Sequence, residues 1–459
     1  ELEIKGKGTA TNDTINLSNL KIAAGSTGHK LNITNFKSGS LTLNDNNLGN
    51  ASQDESAVDA TTVTVTGTES NDEITISKGK IKDVSTGKGA DKVVISSGAN
   101  VATLSTGDGK DNIDISGTVG TLDAGDGDDN IVLQSGAKVD TIDTGAGNDN
   151  IEVSSGATVS TINLGAGDDT ITLKSGAGTG LTINGGDGKD TLTLDASASA
   201  VDFTNITKIT GIEVLNISAT ASSSGAKISY DSIQDNLNLT INSTSGSGTL
   251  TIDTGNNTDI NLANFKAGTQ KLTTFTVDNV NAGDTVKLNK TGGLTETIKL
   301  KSATGNGTDP HTTITGLASG DKLDFSGAFS ASSISGSFTS TAATSTMTIS
   351  GSTKAYYFSS TVDNIDLTEQ NLGQALFNAI AGAQTSSSLS SISVSSSAKA
   401  IFALNSGDGN AYLFSVSAGT NNGTITSSGV SGATVKLLAV VDNTIDNQDQ
   451  VSGGTITFA

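Results

Sequence analysis

Along most of the chain apolar residues alternate with polar ones in short runs, such as Ile113 and Ile115, Ile131 and Leu133, Ile151 and Val153, Ile171 and Leu173, and Leu192 and Leu194. A period of two places those side chains on one face of a strand. Between about residues 65 and 195 the runs recur with a period near 20 residues: apolar strand, Gly-x-Gly-x-Asp, apolar strand, Ser-Gly-Ala. Two strands and two bends bury too little to fold alone. The pattern therefore predicts stacked coils, an all-β parallel solenoid with a thin aliphatic core.

The glycine bends are Gly87, Gly89 and Asp91; Gly107, Asp108, Gly109 and Asp111; Gly125, Asp126, Gly127 and Asp129; Gly145, Gly147 and Asp149; Gly165, Gly167 and Asp169; and Gly186, Gly188 and Asp190. Their terminal aspartates lie 18 to 21 residues apart, yet Val84, Leu104, Leu122, Ile142, Ile162 and Ile183 each stand seven residues before one of them. All variation in length falls in the opposite arch, where Ser97-Gly98-Ala99, Ser135-Gly136-Ala137, Ser155-Gly156-Ala157 and Ser175-Gly176-Ala177 recur. A fixed interval on one side alone points to bends clamped by shared ligands. Stacked bends offer backbone carbonyls and one carboxylate per coil, an oxygen-only donor set that suits calcium. Six bends leave five gaps, hence about five Ca2+ ions. The alternative, a ladder of tight corners built from ordinary turn formers, does not require the fixed interval.

Composition agrees with this picture. In 459 residues there are 55 glycines, one proline, one methionine and no cysteine or tryptophan, and aromatics make up 3%. This is meagre material for a large enzyme-type core, and thiolate sites and disulfides are excluded. The net charge of −21, with every basic residue a lysine, repels nucleic acid and anionic lipid and attracts divalent cations. No apolar run is long enough for a transmembrane segment. The start, Glu1-Leu2-Glu3-Ile4, is neither an initiator methionine nor a signal peptide, so a preceding part is expected to be missing.

The bends resemble the nonapeptide GGxGxDxUx of the RTX family of secreted calcium-binding proteins. They depart from it in two respects: the motif occupies one side of each coil, and the first glycine is replaced by Thr86, Thr106, Ala124, Thr144 or Leu164 except at Gly185. The resemblance implies a β-roll with calcium along one edge. Gly67 to Asp72 and Gly8 to Asp13 look like degenerate bends and are expected to cap the roll. Residues 206–217 resemble a segment that follows β-rolls in RTX surface-layer (S-layer) proteins, and Gly320 to Ser326 a segment near the C-terminus of RTX exports.

The domain expectation is therefore an N-terminal β segment or cap (1–64), the roll (65–195), a β-rich continuation (196–310), and a C-terminal β domain with the secretion signal (311–459). That last domain holds one helix near 368–381, opened by an Asp366/Glu369 capping box with Leu372, Leu376 and Ile380 on one face. A hairpin is expected from Ile401–Leu404 and Tyr412–Val416, and a terminal strand at 455–459. His29 and His311 have no ligand-like neighbours in sequence. No His-Glu-x-x-His or Gly-x-Ser-x-Gly motif occurs, so no enzyme is expected. The functional expectation is a structural S-layer protein, secreted by type I machinery to the cell surface and assembled with copies of itself by calcium. The alternatives are the export module of an RTX enzyme or toxin, and an adhesin.

Overall fold

The computed structural model describes residues 61–301 and 312–324 nearly throughout, most of 372–442, and strand segments within 2–43, 335–362 and 450–458. The chain is nearly all β, with a parallel solenoid of about 11 turns. It divides into two compact units, Glu1–Ile228 with Leu239–Gly248, and Ser229–Asn238 with Thr249–Ala459.

In the first unit two stacks of parallel strands form the walls. One contains Asn112–Ile115, Asn130–Leu133, Asn150–Val153, Thr170–Lys174, Thr191–Asp195, Val214–Ser218 and Thr240–Ser243. The other contains Thr118–Asp126, Lys138–Ala146, Thr158–Ala166, Thr182–Asp187 and Lys208–Thr210. Upstream, the long strands Glu73–Lys88 and Lys92–Asp108 each pass through both walls. The register repeats residue on residue: Ile131, Ile151, Ile171 and Leu192 lie side by side, as do Leu122, Ile142, Ile162 and Ile183. All eight are at most 1% exposed. Each such aliphatic side chain contributes about 1.5–3 kcal/mol of burial, which is how small residues hold a narrow core together. The glycine motif ends at Asp190, whereas the stacks continue through 208–218 and 240–243.

Three of the four Ser-Gly-Ala arches are β-turns; the first, Ser97-Gly98-Ala99, instead runs as continuous strand within Lys92–Asp108 and pairs with 78–79 of the coil before it. Ala137, Ala157 and Ala177 donate their N–H groups to the carbonyls of Gln134, Ser154 and Lys174 at 2.9–3.0 Å, and the glycine at the third turn position has φ of +79 to +88°. Only a residue without Cβ adopts that conformation cheaply, and the alanine that follows is small enough to tuck under the coil.

In the second unit the coil pattern persists without glycine bends. Thr249–Asp253, Thr274–Val280, Glu296–Leu300 and Lys322–Asp324 stack in parallel, and so do Asp259–Asn261, Thr285–Lys287 and Thr313–Thr315. Lys399–Ser406, Ala411–Ala418 and Ala433–Val441 form an antiparallel sheet. The expected hairpin is its first pair. The helix Leu372–Gly382 lays Leu376, Phe377 and Ile380 on a core with Phe402, Phe414 and Leu437. Residues 363–371, including the expected capping box, lie outside the described residues, as do Gly8 to Asn12, Pro310 and His311. A second, four-residue helix, Tyr230–Ile233, was not expected from the sequence. The terminal strand is Thr455–Thr457, antiparallel to Lys322–Asp324.

Candidate metal column

Each glycine bend needs its glycines twice over. Gly87, Gly107, Gly125, Gly145, Gly165 and Gly186 have φ of +92 to +109°, and Gly89, Gly109, Gly127, Gly147, Gly167 and Gly188 have φ of +121 to +146°. In every coil from Gly107 onward, a Cβ at either position would lie well under 3.0 Å from the carbonyl oxygen of the equivalent glycine one coil earlier. The bends are thus stacked at the closest approach that a backbone allows. Their N–H groups join the stack: Gly89, Gly109, Gly127, Gly147 and Gly167 donate to the carbonyls of Asp108, Asp126, Ala146, Ala166 and Asp187 at 2.6–2.9 Å.

The terminal aspartates form a buried row. Asp91, Asp111, Asp129, Asp149, Asp169 and Asp190 are each at most 2% exposed. The backbone N–H of every member donates to Oδ1 of the next: Asp91 to Asp111, Asp111 to Asp129, Asp129 to Asp149, Asp149 to Asp169 and Asp169 to Asp190, at 2.7–3.0 Å. One oxygen of each carboxylate is engaged in this way. The other, Oδ2 of Asp111, Asp129, Asp149, Asp169 and Asp190, is buried and accepts no hydrogen bond.

Burial is the main force that raises the pKa values of these groups, partly offset by the accepted backbone N–H. It lifts Asp129 to about 7 and Asp169 and Asp190 to about 6, and moves Asp111 and Asp149 in the same direction. The neighbouring carboxylates of the row add to the upward push on Asp129 and Asp169.

The ends of the row show what a closed site looks like. Asp72, in the bend that lacks the inner glycine pair, is 3% exposed, but Thr68 donates its N–H to Oδ2 at 2.6 Å and its hydroxyl to Oδ1 at 2.8 Å. Thr68 thus gives Asp72 a second donor that, among the described residues, those Oδ2 atoms of the glycine bends lack; the Thr106 and Thr144 hydroxyls that lie beside Asp111 and Asp149 donate to the carbonyls of Ala124 and Leu164. At the other end the Asp190 N–H is taken by Glu213 Oε2 at 2.8 Å. Sequence reasoning marked Gly67 to Asp72 as a cap but missed Thr68 and Glu213. The spacing of Thr68 and Asp72, a hydroxyl four residues before the acid, was the available signal for the first.

The structure separates the expected site residues into two groups. The terminal aspartates and both glycine columns come together on one edge, whereas Asp108 and Asp126 are exposed on the outer side of the bend. Asp108 pairs there with Lys88 at 2.6 Å, in a solvent-screened ion pair of little energetic weight. The substitutions at the first glycine position have a structural reason as well. Thr86 and Thr106 are buried, and their hydroxyls donate to the carbonyls of Thr106 and Ala124 at 2.9 Å, stitching coil to coil. Gly185 is the one glycine at that position, where the Gly211 carbonyl and Asp190 Oδ2 leave no room for a Cβ.

Among the described residues no three His, Asp or Glu side chains converge on one point. A cation between coils would draw on neighbouring carboxylates of the row and on backbone carbonyls, the hard-oxygen set that calcium accepts. The orphaned Oδ2 atoms fit such an ion. No family model, curated protein or solved structure matches the chain.

Proposed function

We propose that the chain is a structural protein of the bacterial surface layer, whose solenoid is completed by calcium along its glycine edge and which assembles with copies of itself outside the cell. One observation carries the calcium part: five buried carboxylates each keep one oxygen without a hydrogen bond, while Asp72, the member with its own threonine donor, keeps none. A buried ionised carboxylate without a counter-charge is costly, and a divalent ion shared between coils removes that cost for two members at once. Calcium would supply positive charge and six to eight coordination positions; the chain supplies the spacing, the dry wall and the carbonyls.

The lattice, the type I export route and the surface location rest on the resemblance of the bends and of residues 206–217 to RTX surface-layer proteins. Small side chains, strong acidity and the absence of cysteine support them. At calcium about tenfold above its dissociation constant each independent site adds about 1.4 kcal/mol. Five add about 7, comparable with the net stability of a domain. Export as an unfolded chain and folding on arrival in millimolar calcium follow from that proportion.

The test is circular dichroism of the full chain in chelator and in calcium or magnesium, followed by negative-stain electron microscopy. Calcium should raise the β signal and yield two-dimensional sheets, with magnesium a poor substitute because it demands tighter octahedral geometry. A β signal that is the same in chelator and in calcium defeats the calcium reading. Monomers in millimolar calcium defeat the lattice.

A further inference from the structure

The second unit contains a carboxylate step that owes nothing to glycine bends. Glu296 opens the strand Glu296–Leu300, and its N–H donates to Asp321 Oδ1 at 2.9 Å, the same one-way bond across coils that joins Asp149 to Asp169. Glu296 is 2% exposed and Asp321 0%. Register places Glu296 beside Phe275 on the preceding coil and, because Thr297 pairs with Lys322, beside Asp321 on the following one.

There the likeness to the metal column stops. Asp321 Oδ2 accepts the N–H of Ala318 at 2.6 Å, so both of its oxygens already hold backbone donors. Register and the Glu296 N–H bond to Asp321 set the two carboxyl-bearing residues against each other in the buried interior, and the Asp321 charge acts on the Glu296 carboxyl there. The charged residues on the packed strands are Asp278 on Thr274–Val280, Lys322 and Asp324 on Lys322–Asp324, and Lys299 on the strand of Glu296 itself. Strand alternation puts Lys299 and its register partner Asp324 on the opposite face from Glu296, together with Lys322 and Asp278. The terminal strand Thr455–Thr457 carries no charged side chain. Two carboxyl groups in buried contact, with no cation on their face among the described residues, do not both ionise.

We propose that Glu296 and Asp321 share one proton, carried by Glu296 as the hydrogen-bond donor, and that this pair is a lock fastening the C-terminal strand to the coil. The fastening is direct. Phe458, 1% exposed, donates its N–H to the Asp321 carbonyl at 2.9 Å and accepts the Gly320 N–H at 2.7 Å, and Lys322 pairs with Thr457. The lock is independent of the calcium reading, since neither carboxyl belongs to the glycine edge.

Burial, reinforced by the Asp321 charge, raises Glu296 from its ordinary 4.5 to about 9. The stabilisation is therefore complete below pH 4.5 and is lost progressively up to about pH 9. Within that window the folded fraction's advantage falls about tenfold per pH unit for one proton.

The experiment uses the full chain in constant calcium. Hydrogen exchange of a peptide covering 450–459, corrected for intrinsic rates, is followed from pH 5 to 10 beside the infrared C=O stretch of protonated carboxyl. Wild-type protection should fall about tenfold per unit up to about pH 9 and then level, and E296Q should lack that fall. The protonated-carboxyl band should be present at pH 7.5 in wild type and absent in E296Q. An E296Q profile parallel to wild type, or no band at pH 7.5, overturns the lock. Should E296Q not fold, D321N removes the neighbouring charge and should shift loss of the band to lower pH; an unshifted band is equally fatal.

Discussion

The two bends of one coil use glycine for different reasons. Gly136, in the arch, has φ of +88° and nothing within 4 Å of where its Cβ would be; Gly147, in the glycine edge, has φ of +141°, and a Cβ there would run into the Gly127 backbone. The arch needs glycine for a turn conformation alone. The glycine edge needs it for conformation and for stacking. One edge is consequently free to vary in length and the other is not, which is why the intervals before Asp111, Asp129, Asp149 and Asp169 are constant while the arches absorb every insertion.

The largest effect should come from exchanging the two behaviours. One residue inserted between Gly145 and Asp149 moves Asp149 out of the row and breaks two inter-coil hydrogen bonds, and should abolish the first unit's cooperative melt. The same insertion after Gly136 should cost about 1 kcal/mol or less, since surface-loop length is thermodynamically soft. Equal losses of melting temperature would remove the distinction. Next in size, Gly147→Ala should destabilise by more than about 3 kcal/mol, because strain and a backbone clash add, whereas Gly136→Ala should cost about 1–2 kcal/mol from φ alone. Denaturant titrations of the two variants in calcium decide this.

A smaller change sharpens the role of the row. Asp149→Ala removes a carboxylate that faces both neighbouring coils, so calorimetry should show the loss of two calcium equivalents; a loss of one means that the ions are not shared. The gentlest probe is pH. In chelator the row's aspartates have folded values raised above their ordinary range, so protons stabilise the metal-free roll at low pH and that support is lost as pH rises from about 4 to about 6–7. Melting in chelator should improve on going from pH 7.5 to 5. In calcium the trend should flatten or reverse, because protons then compete with the ion. A chelated roll indifferent to pH contradicts the buried row.

Most of the solenoid was legible because stacking in register turns a one-dimensional repeat into a three-dimensional column. Ile131, Ile151 and Ile171 stand in equivalent places in the chain and therefore side by side in the protein. The two fates of aspartate within one bend were harder to see. Asp126 and Asp129 are the same residue type three positions apart, yet the first is exposed and the second buried, since the bend turns one outward and the other against the backbone of the preceding coil. Glu213 was hidden because its coil lacks the Gly-x-Gly-x-Asp motif and because it stands 23 residues beyond Asp190. The Glu296 and Asp321 contact was hidden for a similar reason: it spans a coil of 25 residues with no recurring motif to announce the register.

The one-way bond along the carboxylate row makes every internal coil both a giver and a taker of the same hydrogen bond, closed by Thr68 on one side and Glu213 on the other. Such a coil is an interchangeable tile. A 20-residue segment copied from Asn130–Asp149 and placed after Asp149 would meet above and below it the partners that it already has, with no new interface to invent. The length of the rod is thus open to change by gene duplication in whole coils, while its two end pieces stay the same.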